Sequence, residues 1–391
     1  MSQKFKILTG IALAAVAAAG AQAQQASGGG TATYWMSAET ASGMTAVNQG
    51  RGGQAHSLTL QLGTGRRAPG EPEAEHIPPE NLKAGPSLPL VSPLKAAAAA
   101  PTPYSYSGEK PKGRMLFFWG CGEHARPGQP VVVDFASLSS GKVPPAFAQA
   151  ALKYMTPPSA ANNTSYGEWP NNKSKTRVPA SGSLVGDHVV RGNYTPEIKF
   201  SLTPGQDFLP PVALTARSAA ASGSVPLVWR PIAPAKGWFL STMGAGANGD
   251  MIMWTSSERQ AAAMMMDYLS PDEVARLVTQ KVLLPGGADR CTVPQEVAKA
   301  APQSMLSMIA FGPEANFSFP ARPAKAAASW KPEWAAKLRT KSTYAGMLGM
   351  DLASMMSGGD DGGRESVEEA PRRKATKAEK IGRGLGRLLG N

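Results

Sequence analysis

Hydrophobic side chains in this chain recur mostly at every second position, in short runs separated by Pro, Gly and Asn, a pattern that predicts strands joined by turns. Tyr194, Pro196, Ile198, Phe200 and Leu202 alternate with Thr195, Glu197, Lys199, Ser201 and Thr203. That alternation fits a strand with one face on a core and the other in water. Arg114 to Trp119 is apolar on both faces after its first residue, as a central strand requires, and Val131 to Phe135 follows the turn residues Pro127-Gly128. Further strands are predicted over 225–230, 237–243, 250–255, 304–311, 315–319 and 337–343. One helix interrupts the series. Ser270 is its N-cap, Pro271 its first residue and Glu273 closes a capping box; Val274, Leu277, Val278 and Val282 share a face, and Pro285-Gly286-Gly287 ends it. Shorter helices are predicted over 258–268 and 294–300. Strands outnumber helices without strand–helix–strand alternation, so the expected fold is mainly β: an antiparallel β-sandwich of one or two units with a short helical insertion.

Composition divides the chain. The β-rich region spans 113–345, either as one unit or as two, 113–205 and 224–345. Residues 24–112 are rich in Gly, Ala, Pro and Gln, with Lys95 to Ala100 followed by Pro101 and Pro103, and read as a flexible extension too poor in large apolar residues for a core of its own. Its one predicted strand is Leu58-Thr59-Leu60-Gln61-Leu62, where alternation is strict. Residues 346–391 hold a Met-rich segment, Met347 to Met356, and a basic tail.

The first 23 residues read as a signal peptide. Lys4 and Lys6 form a positive start, Ile7 to Ala19 an apolar stretch, and Ala21-Gln22-Ala23 a small-x-small cleavage site, leaving Gln24 as the new N-terminus. The apolar stretch is shorter than the ~20 residues of a bilayer span, and no second long one follows. Export to the periplasm, cell surface or medium is the expectation. Without Lys4 and Lys6, 38 basic residues face 28 acidic ones, a net +10, which favours anionic partners. Outside the cytoplasm these would be lipid headgroups, lipopolysaccharide or acidic glycans rather than nucleic acid.

At Ser224-Val225-Pro226-Leu227-Val228-Trp229-Arg230-Pro231, followed by Gly237-Trp238-Phe239-Leu240, the chain resembles two neighbouring strands of a fibronectin type III-like β-sandwich. The resemblance covers about 30 of the 391 residues, and it implies a core-facing pair of strands without implying an activity.

Little in the sequence carries chemistry. Gly244-Ala245-Gly246-Ala247-Asn248-Gly249 fits G-x-G-x-x-G, but a dinucleotide site needs a helix directly after it. Asp250 to Thr255 reads as a strand, and Asn248-Gly249 is a hairpin turn pair. No cofactor is therefore expected. Cys121-Gly122-Glu123-His124 sets a thiol beside a carboxylate and an imidazole, and a thiol nucleophile needs a base. Asp187-His188 would join it only through the fold. A bridge between Cys121 and Cys291, the two cysteines, would instead close a loop of about 170 residues, and the sequence leaves both states open. His56, His76, His124 and His188 lack metal-site spacing.

Two basic features remain. Lys337, Arg339 and Lys341 alternate along one predicted strand near Trp330 and Trp334, forming a positive stripe suited to an anionic polymer or to a protected edge strand. The tail carries Arg372, Arg373, Lys374, Lys377, Lys380, Arg383 and Arg387, with Ile381, Leu385, Leu388 and Leu389 at helical spacing, so that an anionic membrane would fold it as an amphipathic helix. These features together suggest a non-enzymatic envelope protein that binds or scaffolds. The alternatives are an exported hydrolase with a dispersed site built from Cys121, Glu123, His124, Asp187 and His188, and a subunit of a secretion or surface assembly.

Overall fold

The computed structural model describes residues 30–48, 53–93, 113–134, 152–174, 176–260, 267–327 and 329–350. The residues of the expected signal peptide, the run 95–103, most of the helix expected over 258–268 and the basic residues 372–387 lie outside them. Among the described residues, strand outweighs helix by 43% to 9%.

One large mixed sheet forms the backbone of the fold. Its strands are β1 (Ala32–Gly43), β2 (Gln54–Thr64), β5 (Arg114–Trp119), β6 (Val131–Asp134), β7 (Ser165–Trp169), β12 (Gly237–Ala245), β13 (Met251–Thr255), β16 (Met305–Phe319) and β17 (Trp334–Met347). They run side by side in the order β6-β5-β13-β12-β16-β17-β1-β2-β7, and the two-residue β14 (Leu284–Pro285) pairs with the start of β12. Two small antiparallel sheets accompany it. One has the order β4-β3-β8-β9, with β3 (Ala74–Ile77), β4 (Leu88–Leu90), β8 (Gly186–Gly192) and β9 (Ile198–Leu202). The other has the order β10-β11-β15, with β10 (Leu214–Ala216), β11 (Val225–Trp229) and β15 (Arg290–Val293).

Both small sheets pack on the same face of the large one. Along β17 the even-numbered Ala336 and Leu338 join a core with Leu88, Leu90, Val190, Ile198 and Leu202 of the four-stranded sheet. Tyr344, also even-numbered, joins the core under Leu227, Trp229 and Val293 of the three-stranded sheet. β16 stays in phase with this division through a bulge at Gly312-Pro313, since Ala310 pairs with Ser342 before it and Ala315 with Leu338 after it. Between the two cores the face turns polar. Thr40 Oγ1 donates to the Leu209 carbonyl (2.6 Å) and Ser42 Oγ to the Val212 carbonyl (2.9 Å), holding down the segment that links one small sheet to the other. The β7 edge is closed by Val91 and Glu168, whose backbones exchange two hydrogen bonds.

The opposite face carries a smaller apolar cluster of Phe239, Ile309 and Phe311 under Val274 and Leu277 of α2 (Pro271–Thr279). That helix begins as its sequence dictates, with Ser270 Oγ accepting from the Glu273 amide at 3.2 Å. Two further short helices, α1 (Met44–Asn48) and α3 (Gln295–Ala300), are peripheral.

Three expectations need correction. Residues 24–112 do not form an extension with one strand: β1 to β4 all come from this stretch, and β1 lies inside the large sheet, parallel to β17 and antiparallel to β2. Its sequence, ATYWMSAETASG, is buried on both faces by small and mixed side chains, so it shows no alternation to read. Second, 113–205 and 224–345 are not separate units, because β5 pairs with β13 and the large sheet draws strands from all parts of the described chain. Third, Glu258 and Tyr268, the ends of the expected first helix, are not helical.

If β1 is interior, Met36→Ala, at a side chain with no solvent exposure, should destabilise the protein by about 2–5 kcal/mol in denaturant titration. A silent substitution would return this strand to a loose extension.

Candidate functional site

Cys121 follows β5 and Cys291 lies in β15, and a disulfide joins them with the Cα atoms 5.2 Å apart. Two backbone bonds flank the bridge, Gly122 N to Thr292 O and Gln295 N to Glu123 O, both close to 3 Å. The three-stranded sheet is thereby fastened to the large sheet at β5. Cys121 is thus not a free nucleophile. His124, though close in sequence, points elsewhere: its ring is largely exposed and its Nδ1 lies 3.2 Å from Glu296 Oε1 and 3.1 Å from Gln295 Nε2.

Asp187 and His188 do not join this group. They sit in β8, in the other small sheet, on opposite faces of the strand. Asp187 is exposed and accepts from Ser201 Oγ across the strand pair. His188 is fully buried and belongs to a chain of three side chains with no solvent contact. Tyr34 Oη lies 2.9 Å from His76 Nδ1, His76 Nε2 lies 2.9 Å from His188 Nδ1, and His188 Nε2 lies 2.7 Å from the Leu184 carbonyl.

Elementary bonding rules orient every proton in that chain. A carbonyl only accepts, so His188 Nε2 carries hydrogen and donates to Leu184. Neutral His188 then accepts at Nδ1 from His76 Nε2–H, which leaves His76 Nδ1 to accept from the Tyr34 hydroxyl. Each polar atom is then satisfied with both rings neutral. Burial pushes the His76 pKa well below its ordinary value, and the neighbouring His188 adds to the effect. Burial also lowers the His188 pKa, against the opposing pull of the Leu184 carbonyl. Tyr34 is pushed well above its ordinary range by burial. The chain is a closed internal network, with no face open to a substrate.

The basic stripe also needs correction. β17 is not an edge: it lies between β16 and β1, so Arg339 and Lys341 are buried, and Lys337 is half-buried. In parallel register, Lys337, Arg339 and Lys341 stand beside Trp35, Ser37 and Glu39 of β1. Arg339 Nε donates to Ser37 Oγ at 2.7 Å, and its guanidinium lies between the rings of Tyr268 (4.3 Å) and Trp35 (5.0 Å). Lys341 Nζ lies 4.5 Å from the Tyr268 ring and 3.4 Å from Glu39 Oε2, and Lys337 Nζ pairs with Glu314 Oε2 at 2.5 Å. Arg339 Nη1 and Glu314 Oε1, neighbours in register across β16 and β17, are buried without protein hydrogen-bond partners. The charges face one another inside the molecule, and no anionic polymer can reach them. The tail cations from Arg372 to Arg387 lie outside the described residues.

Among the described residues no group of three or more His, Cys, Asp or Glu side chains is placed to hold a metal, and no helix is long and apolar enough to cross a membrane. The sequence Gly244 to Gly249 turns the β12–β13 hairpin, with Gly249 at φ +77° where glycine is favoured. A cavity of about 640 Å3 opens between β3, β4 and β8 and is lined by Glu71, Glu73, Glu75, Arg191 and Asn193. No protein-family model, curated protein or solved structure matches the chain.

Two measurements follow. Because folding lowers both histidine pKa values, the unfolded chain takes up protons first as pH falls through about 6.5, while the folded chain stays neutral. Stability should therefore be fully present above that pH and fall below it by up to about 1.4 kcal/mol per pH unit for each histidine. His188→Gln should reduce that acid sensitivity, and an unchanged slope in chemical denaturation between pH 7 and 5 would contradict the neutral chain. The disulfide should leave neither cysteine open to alkylation in the native oxidised protein. Reduction should lower stability by at most roughly 5 kcal/mol on the loop-entropy account, and labelling of Cys121 without reductant would contradict the bridge.

Proposed function

We propose that this is an exported, non-enzymatic protein of the cell envelope, a rigid β-scaffold that binds anionic envelope material. The observation that carries this reading is the Cys121–Cys291 disulfide, which joins positions 170 residues apart. Such a bridge persists in oxidising compartments. The leader-like start of the chain and its excess of basic residues support the same reading.

The hydrolase alternative loses its parts one by one. Its thiol is bonded to Cys291, its His124 faces Glu296, and its Asp187 and His188 stand in another sheet. What the chain offers instead is a face-to-face β fold whose interior lysines pair with carboxylates and whose Arg339 lies against aromatic rings, with basic residues left over outside.

Expression in a bacterial host followed by fractionation tests the proposal. The chain should be recovered outside the cytoplasm with a mass that begins at Gln24 and with both cysteines oxidised. Recovery of an unprocessed, reduced chain from the cytoplasm would refute it.

A further inference from the structure

The hairpin joining β16 to β17 ends in a loop, described over residues 320–327 and 329–333, at one pole of the large sheet. Register fixes what shares that pole. Phe319 pairs with Trp334, Trp334 with Ala32, and the neighbouring Thr33 with Gly63. The last residues of β2 therefore lie within two strand spacings of the hairpin, about 10 Å, and Arg66 and Arg67 follow them in the chain. The loop is braced rather than loose. Glu333 N donates to Phe319 O at 2.7 Å, Ala326 N to Pro323 O and Trp330 N to Ala327 O at 3.0 Å each, and Thr31 Oγ1 to Pro332 O at 2.8 Å.

The surface this builds is unlike the rest of the described molecule. Phe319 is 55% exposed, the largest exposure of any large hydrophobic side chain there, yet its ring is held on Trp334 with centroids 6.2 Å apart. Trp330 is half-buried, with the Arg322 guanidinium 6.0 Å from its ring. Arg322, Lys325 and Lys331 are exposed, and the single acid in the loop is Glu333. None of these three cations, nor Arg67, forms a salt bridge among the described residues, whereas Lys337 and Lys341 in the adjoining strand are paired with carboxylates. The two lysines inside the sheet are matched by carboxylates, and the cations at its pole are not.

Unmatched cations beside ordered, partly exposed aromatic rings suit one kind of partner well. Anionic lipid headgroups attract Lys and Arg at about 1 kcal/mol each near the surface, and Phe and Trp rings settle at the headgroup boundary. We propose that this pole is a membrane-docking foot, seated on a bilayer that carries anionic headgroups, with Phe319 and Trp330 entering the interface and Arg322, Lys325 and Lys331 resting on the phosphates. The inference builds on the envelope reading above and supplies it with a surface built from other residues than the basic ones of 372–387.

Sedimentation of the full processed chain with phosphatidylglycerol–phosphatidylcholine vesicles, against pure phosphatidylcholine, tests it. Binding should be confined to the anionic vesicles and fall with salt. Replacing Arg322, Lys325 and Lys331 together with Ser should weaken it by about 100-fold, and Phe319→Ser by roughly tenfold. Arg383→Ser with Arg387→Ser in the tail should leave most of it. These pole positions are exposed, so unchanged thermal unfolding of the variants would verify an intact fold. Wild-type binding by the triple variant, binding to a soluble acidic polysaccharide but not to vesicles, or no binding would each overturn the docking foot. A chain processed and exported that ignores anionic vesicles would remove the foot and leave the envelope reading in place. A chain kept unprocessed in the cytoplasm would remove both.

Discussion

The parallel pairing of β1 with β17 is the constraint on which the architecture rests. It brings together residues about 300 positions apart, in unbroken register from Ala32 beside Trp334 to Gly43 beside Ala345. On one side β17 continues through β16 into the strands over which the three-stranded sheet packs. On the other, β1 continues through β2 to β7 under the four-stranded sheet. Without that seam the two halves would be separate open sheets, each with an unpaired edge. A contact of such sequence separation carries a large loop-closure cost, so side-chain contacts across it must contribute strongly.

They do so differently on the two faces. On the face under the small sheets, Tyr34, Met36, Ala336 and Leu338 form an ordinary apolar core. On the other, the seam is a charged ladder: Lys337, Arg339 and Lys341 against Trp35, Ser37 and Glu39, with Glu314 supplied by β16 and Tyr268 laid over the top. Buried ion pairs are poor sources of net stability because desolvation offsets their attraction. Their geometry is nonetheless demanding, since a slip of one residue would place Arg339 among apolar side chains and Leu338 among carboxylates. We read the ladder as a device that fixes register, with the aromatic rings on either side of Arg339 replacing part of its lost hydration.

Strands with one apolar face, or with a run of large apolar residues, were legible from the sequence: β5, β9, β11, β12, β13, β16 and β17 all lie where their patterns place them, and α2 starts at its capping box. β1 was not legible, because a strand buried on both faces by Ala, Ser, Thr and two aromatic residues has neither alternation nor a hydrophobic run. The charged ladder was visible but misplaced. Lys-x-Arg-x-Lys is written identically on a protected edge strand and on an interior strand whose charges find partners, and sheet order is not encoded locally. The histidine chain had no local signal at all, since His76 and His188 are 112 positions apart and each reads as an isolated residue.

The same reasoning explains why function is harder to read here than fold. A site that performs chemistry keeps a reactive group poorly satisfied and reachable. In this molecule the thiols are joined, both buried imidazoles are saturated by neutral hydrogen bonds, and the interior cations face carboxylates or aromatic rings. Electrostatic and bonding capacity is largely consumed within the scaffold. What remains unspent is on the outside, in cations without partners beside an aromatic ring that the fold holds in place but does not cover. That contrast between a saturated interior and an unsatisfied pole, where the β16–β17 hairpin turns, is the reason the proposed docking foot is placed there.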